Sequence, residues 1–130
     1  MPLSAESILP PPSKSEVAAV LNDAADLISD PNNWVKDYSA RGYNPPELVR
    51  GKPDHPPGSC LPTGEHATRW NALGALWRTA LTAEAAVKAA HGFFMQAIGG
   101  DVSVNRWCAA HDQPAQVDAL RRAAALAEAA

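Results

Sequence analysis

The sequence predicts an all-α fold: a compact single domain of four to five helices, interrupted by one long, irregular, proline-rich crossing. Three observations carry this expectation. Alanine makes up about a fifth of the chain, far above its usual share, and it favours closely packed helices. The β-branched and aromatic residues that sheets draw on are sparse. Apolar residues recur at spacings of three and four in several separate stretches, which is the period of one helical face. A chain of 130 residues buries about two-thirds of its unfolded surface, so it needs no metal or disulfide in order to fold.

Residues 1–12 read as a flexible tail ending in the stiff Pro10-Pro11-Pro12. Ser13-Lys14-Ser15-Glu16 has the S-x-x-E spacing of a capping box and opens the first helix. Val17, Val20, Leu21, Ala24, Leu27 and Ile28 mark its apolar face, with Asn22, Asp23 and Asp26 outside it. Pro31 ends that helix, Asn33 suits a left-handed conformation, and Trp34 folds back on the last turn. Residues 35–62 carry six prolines and no helical period. They read as an ordered but irregular crossing, pinned by Tyr38, Tyr43, Leu48 and Val49, and as the place to look for a partner.

The best-marked helix is Thr63 to Leu81, around which the rest is arranged. Thr63 is its expected N-cap and Glu65 its first-turn acid. Trp70, Leu73, Trp77 and Ala80 then share one stripe, widened by Leu76 and Leu81. Gly74 costs a helix interior about 1 kcal/mol against alanine, which a close approach of another helix or an indole would justify. Thr82 and Glu84 open a third helix through Ala86, Val87, Ala90, Phe93, Phe94, Ala97 and Ile98, stopped by Gly99-Gly100. Asp101 or Ser103 caps a short helix, Val104 to Ala110, that carries Trp107. The last helix begins at Gln113-Pro114, with Val117, Leu120, Ala124 and Leu126 or Ala127 turned inward. The expected core is therefore centred on Leu21, Leu27, Trp70, Leu73, Gly74, Trp77, Phe94 and Leu120.

Composition excludes several classes of function. The formal net charge is −3, and no basic run exists beyond Arg121-Arg122, so no nucleic-acid partner is expected. Apolar runs are too short to cross a bilayer, and no membrane partner is expected. The N-terminal stretch lacks a basic segment followed by an apolar core, so it does not read as a secretory signal, and a cytoplasmic setting follows.

Chemistry-bearing motifs are weak. Cys108 and His111 have C-x-x-H spacing, and Cys60 with His66 would complete a zinc set. The gap between Cys60 and His66 is loose, and Cys108 falls in an apolar turn, so no metal and no cofactor are expected. A thiolate at Cys60 beside His66 would be activated by a helix N-terminus, but no third orienting group is implied. No catalytic residue is assigned. Asp23, Asp26 and Asp30 read as a solvated face, and His91 as a surface imidazole.

A first helix with Ala24-Ala25-Asp26-Leu27-Ile28, then Leu73-Gly74-Ala75-Leu76, then Val104 to Trp107 and a closing V-D-A-L-R-R-A-A helix resembles a family of small bacterial and phage proteins known only as a domain of unknown function. The similarity spans about residues 16–128. In that family Cys is usual where this chain has Asn71, and Asn-Asp where it has Cys108-Ala109. Any site those residues form in relatives is altered here. The resemblance implies a helical fold and a cytoplasmic setting, and no activity.

The expected function is a non-enzymatic protein-interaction or regulatory module, of phage or mobile-element origin, with an unidentified protein partner. An alanine-rich face is compatible with a homodimer. Four tryptophans in a small chain support the interaction reading, since tryptophan is enriched at binding hot spots. The alternative is a small-molecule site or weakly marked enzyme near Cys60, His66 and Trp107. Candidate binding residues are Trp34, Tyr43, Cys60, His66, Trp107 and His111.

Overall fold

A computed structural model of the chain describes residues 11–36, 40–42, 67–79, 84–100 and 103–130. Five α-helices carry it: α1 (Lys14–Ser29), α2 (Ala72–Thr79), α3 (Glu84–Ala97), α4 (Val104–Ala109) and α5 (Gln113–Ala129). A 3-10 turn, Pro31–Asn33, follows α1, and two short strands, β1 (Ala40–Gly42) and β2 (Ala67–Trp70), form an antiparallel ribbon. The fold is all-α with this ribbon attached.

The helix starts follow from side chains that accept from unpaired first-turn N–H groups. Ser13 Oγ accepts from the Glu16 backbone N–H at 3.1 Å, so the Ser half of the capping box forms. The Glu16 carboxylate accepts from the Ser13 hydroxyl at 3.3 Å. Asp112 caps α5 by accepting from the Ala115 N–H at 3.2 Å, one residue ahead of Gln113 and with Pro114 in the first turn. Ser103 stands at the N-cap of α4 without a side-chain bond. After α3 the chain turns through Gly99 and Gly100 at φ of 109° and 86°, conformations that side chains with a Cβ rarely adopt. Thr82, the expected N-cap of α3, lies outside the described residues.

α1 and α5 make the broadest helix contact in the molecule and run antiparallel: Gln113 Nε2 donates to the Ile28 and Ser29 carbonyls, while Arg121 reaches Asn22 and Asp26. α3 packs on α5 and α1, and α2 lies against α1. One apolar cluster joins them, containing Leu21, Ile28, Trp70, Leu76, Phe94 and Leu120. Much of the rest of the cluster is alanine, including Ala24, Ala25, Ala119 and Ala123, all with no exposed surface. Such small side chains let helix backbones approach closely, which accounts for the composition.

Four expectations are corrected. The segment expected as one helix from Thr63 to Leu81 is extended from Ala67 to Trp70 and becomes helical only at Ala72. Thr63 and Glu65 lie outside the described residues. The cause is tertiary: β2 pairs with β1, the Trp70 carbonyl accepts from the Val35 N–H at 3.2 Å, and Asn71 recaps the chain. Local propensity yields to those pairings. Second, Trp70 and Trp77 therefore share no helical stripe. Trp70 is buried at 6% exposure, whereas Trp77 is 38% exposed and is not a core residue. Third, part of the expected irregular crossing is strand β1. Fourth, Asn33 is not left-handed; it sits in the 3-10 turn and donates from Nδ2 to the Leu27 carbonyl at 3.0 Å.

On α5 the expected inward residues Leu120, Ala124 and Ala127 are buried, and the face extends to Gln116, Ala119 and Ala123. Val117 is half-buried and Leu126 is 39% exposed. Leu21, Phe94, Leu120 and Gly74 are buried, and Leu27 and Leu73 pack on the cluster half-buried.

Candidate functional site

The start of α2 gathers the polar interior of the protein. Asn71 precedes the helix with no exposed surface, and its Oδ1 accepts from the Gly74 N–H at 2.9 Å. The Ala72 N–H donates to Oε1 of Gln116, on α5, at 2.9 Å. The Leu73 and Ala72 N–H groups are aimed at the sulfur of Cys108, on α4. The unpaired donors of this helix end are thus met by three side chains, one from its own chain segment and two from other helices.

Gln116 is the hub of this arrangement. Its Oε1 also accepts from Trp34 Nε1 at 3.2 Å, and its Nε2 donates to the Cys108 and His111 carbonyls, both at 3.0 Å. A glutamine amide offers two donors and two acceptor positions, and all four are used. A buried amide that is fully matched adds specificity at little cost, whereas a partly matched one would destabilise. Asn71 shows the contrast, because its Nδ2 is buried without a hydrogen-bond partner among the described residues.

Aromatic rings border this polar interior. His111 stacks on Trp107 with centroids 4.0 Å apart and planes 16° from parallel, and its Nδ1 donates to the Trp107 carbonyl at 2.7 Å. Trp107 meets Phe94 edge-on at 5.8 Å. Three of the expected binding residues, Trp34, Trp107 and His111, are therefore brought together through Gln116, and each is half-buried. The other three, Tyr43, Cys60 and His66, lie outside the described residues.

Cys108 is a free thiol with no exposed surface. Burial pushes its pKa from 9.0 up to about 11, and the Leu73 and then the Ala72 N–H groups offset this only in part. A thiol held in that state is a poor nucleophile and metal ligand near neutral pH. Among the described residues no three His, Cys, Asp or Glu side chains gather where they can hold a metal ion. No helix of the described residues is long and apolar enough to cross a membrane.

Two of the shallow concavities on the outer surface lie among the described residues. One, about 440 Å³, lies between the ends of α3 and α5 and is lined by Gln96, Ala97, Arg122, Ala125 and Leu126. The other, about 410 Å³, lies where α1 ends beside α5. Elsewhere, Trp77 stands open on α2, and its neighbour Arg78 covers the buried Trp70 ring at 5.5 Å, a cation–π contact.

Two residues escaped the sequence reading. Gln116 is polar, and periodicity favours Val117 at that part of the helix; its only signal is a polar residue one turn into an apolar α5 face. Asn71 was hidden inside a stretch whose apolar spacing continues the helix straight through it.

No curated protein and no solved structure matches the chain. Residues 12–126 match the family of unknown function DUF6197, nearly the whole of the chain described by α1 to α5, and the protein belongs to that family.

Proposed function

We propose that this protein is a non-enzymatic interaction module that meets a protein partner through the outer face of α2, with Trp77 as the anchor. The observation that carries this reading is the exposure of Trp77 on a short helix whose other face is buried. An indole left open to water loses the free energy of burial unless something covers it, and tryptophan is the residue most enriched at binding hot spots. The polar groups of the interior favour the same reading. Gln116 has spent every hydrogen-bonding position on the fold, and the Cys108 thiol is buried and held protonated.

The alternative, a small-molecule site near Cys60, His66 and Trp107, draws on the half-buried Trp107–His111 stack. It would need polar groups from beyond the described residues.

The test is affinity capture from the native host with wild-type protein, Trp77→Ala and Leu126→Ala, each checked for an intact thermal transition. Loss of the captured partner in Trp77→Ala alone supports the reading. Equal capture by all three removes Trp77 as the anchor.

A further inference from the structure

We infer that residues 31–35 form a strap over the start of α2 that releases by itself, leaving α2 capped. The strap is the 3-10 turn Pro31–Asn33 together with Trp34 and Val35. Pro31 and Asn32 are exposed, and the three residues after them are half-buried. Asn33 Nδ2 ties the strap to the Leu27 carbonyl at 3.0 Å, Trp34 packs on the apolar cluster, and further contacts reach α5 and β2. Trp34 Nε1 donates to Gln116 Oε1, the Val35 N–H donates to the Trp70 carbonyl, and Trp34 bridges to Trp70 in parallel register.

Gln116 divides its bonds between the strap and the fixed part of the fold. Its Oε1 has two acceptor positions, one taken by Trp34 Nε1 and one by the Ala72 N–H. When Trp34 leaves, Oε1 keeps Ala72, and Nε2 keeps the Cys108 and His111 carbonyls. No buried group at the amide is orphaned. The indole N–H and the Val35 N–H pass to water instead, so the hydrogen bonds change at little net cost and release loses chiefly the packing of the half-buried Trp34 ring. Removing Gln116 is different, because the Ala72 N–H and the His111 carbonyl then lose their partner together, while the Cys108 carbonyl keeps only the His111 N–H. The strap is therefore the weakly held side of a latch whose other side is fixed. Its release breaks the Val35–Trp70 backbone hydrogen bond and exposes the rest of the half-buried Trp34 ring. Trp77 takes no part, so the device is independent of the proposed docking face.

Native-state amide exchange, followed residue by residue, tests this on the full chain. In wild type the Val35 amide should exchange at least tenfold faster than Leu73, Gly74 and the core amide of Leu21. Trp34→Phe, which removes the indole N–H and keeps a ring, should speed Val35 about tenfold further and leave Leu73 and Gly74 unchanged. Gln116→Met should speed all three. The inference is overturned if Trp34→Phe moves Leu73 and Gly74 as much as Val35. It is overturned equally if Val35 is protected to the level of Leu21 in wild type.

Discussion

At the scale of single residues, the account turns on side chains whose surroundings decide their chemistry. Cys108 is the plainest. With its folded pKa raised to about 11 from 9.0, the thiol stays protonated in the folded protein over a range where the unfolded chain ionises. Its contribution to stability is complete below pH 9 and is lost as pH rises from about 9 to about 11. Two pKa units correspond to about 3 kcal/mol at most. Denaturation between pH 8 and 11 should therefore show a decline that Cys108→Ala flattens; an unchanged slope in the variant would place the thiol elsewhere. Gln116 makes the opposite case, since its value lies in what it prevents. Gln116→Met leaves the Ala72 N–H and the His111 carbonyl short of a partner, while the Cys108 carbonyl keeps the His111 N–H, and each orphaned group costs about 1–3 kcal/mol. A loss above about 2 kcal/mol in urea unfolding is expected. Asn71→Ser keeps an oxygen near the Gly74 N–H and removes the unmatched Nδ2, so its stability should fall within about 1 kcal/mol of wild type.

At the scale of elements, what could be read ahead and what could not differ for a physical reason. The start of α1 was legible because Ser13 and Glu16 act on their own backbone, and Pro31 stops the helix by its own ring. The turn at Gly99 and Gly100 and the opening of α5 near Pro114 were legible for the same cause. Asp112→Ala should cost about 1 kcal/mol, seen as a fall of the denaturation midpoint with unchanged slope, because its carboxylate caps α5 locally. β2 was not legible. Nothing within Ala67–Trp70 opposes a helix; the strand exists because β1, distant in sequence, and Val35 supply its hydrogen bonds. The candidate site was legible only as a scatter of aromatic and His residues. Its centre, Gln116, is chosen by four partners on three other segments, and no spacing within α5 announces it.

At the scale of the whole molecule, the fold is an alanine-lined antiparallel pair, α1 and α5, to which α2 and α3 are fitted. Among the described residues, the ion pairs Lys88–Glu84, Arg121–Asp26 and Arg122–Asp118 are exposed and contribute little. Close packing of small side chains contributes far more, and it tolerates little added volume. Ala123→Leu should cost about 1–3 kcal/mol by overpacking, read as a lower melting temperature with the helical spectrum retained. The same geometry sets the two tryptophans of the central stretch apart, one closing the interior and one left outside. The most direct measurement of that claim is the thermal unfolding of Trp70→Ala beside Trp77→Ala. The account predicts a loss of about 3–5 kcal/mol for Trp70→Ala and roughly half of that or less for Trp77→Ala. Equal losses in the two variants would contradict it.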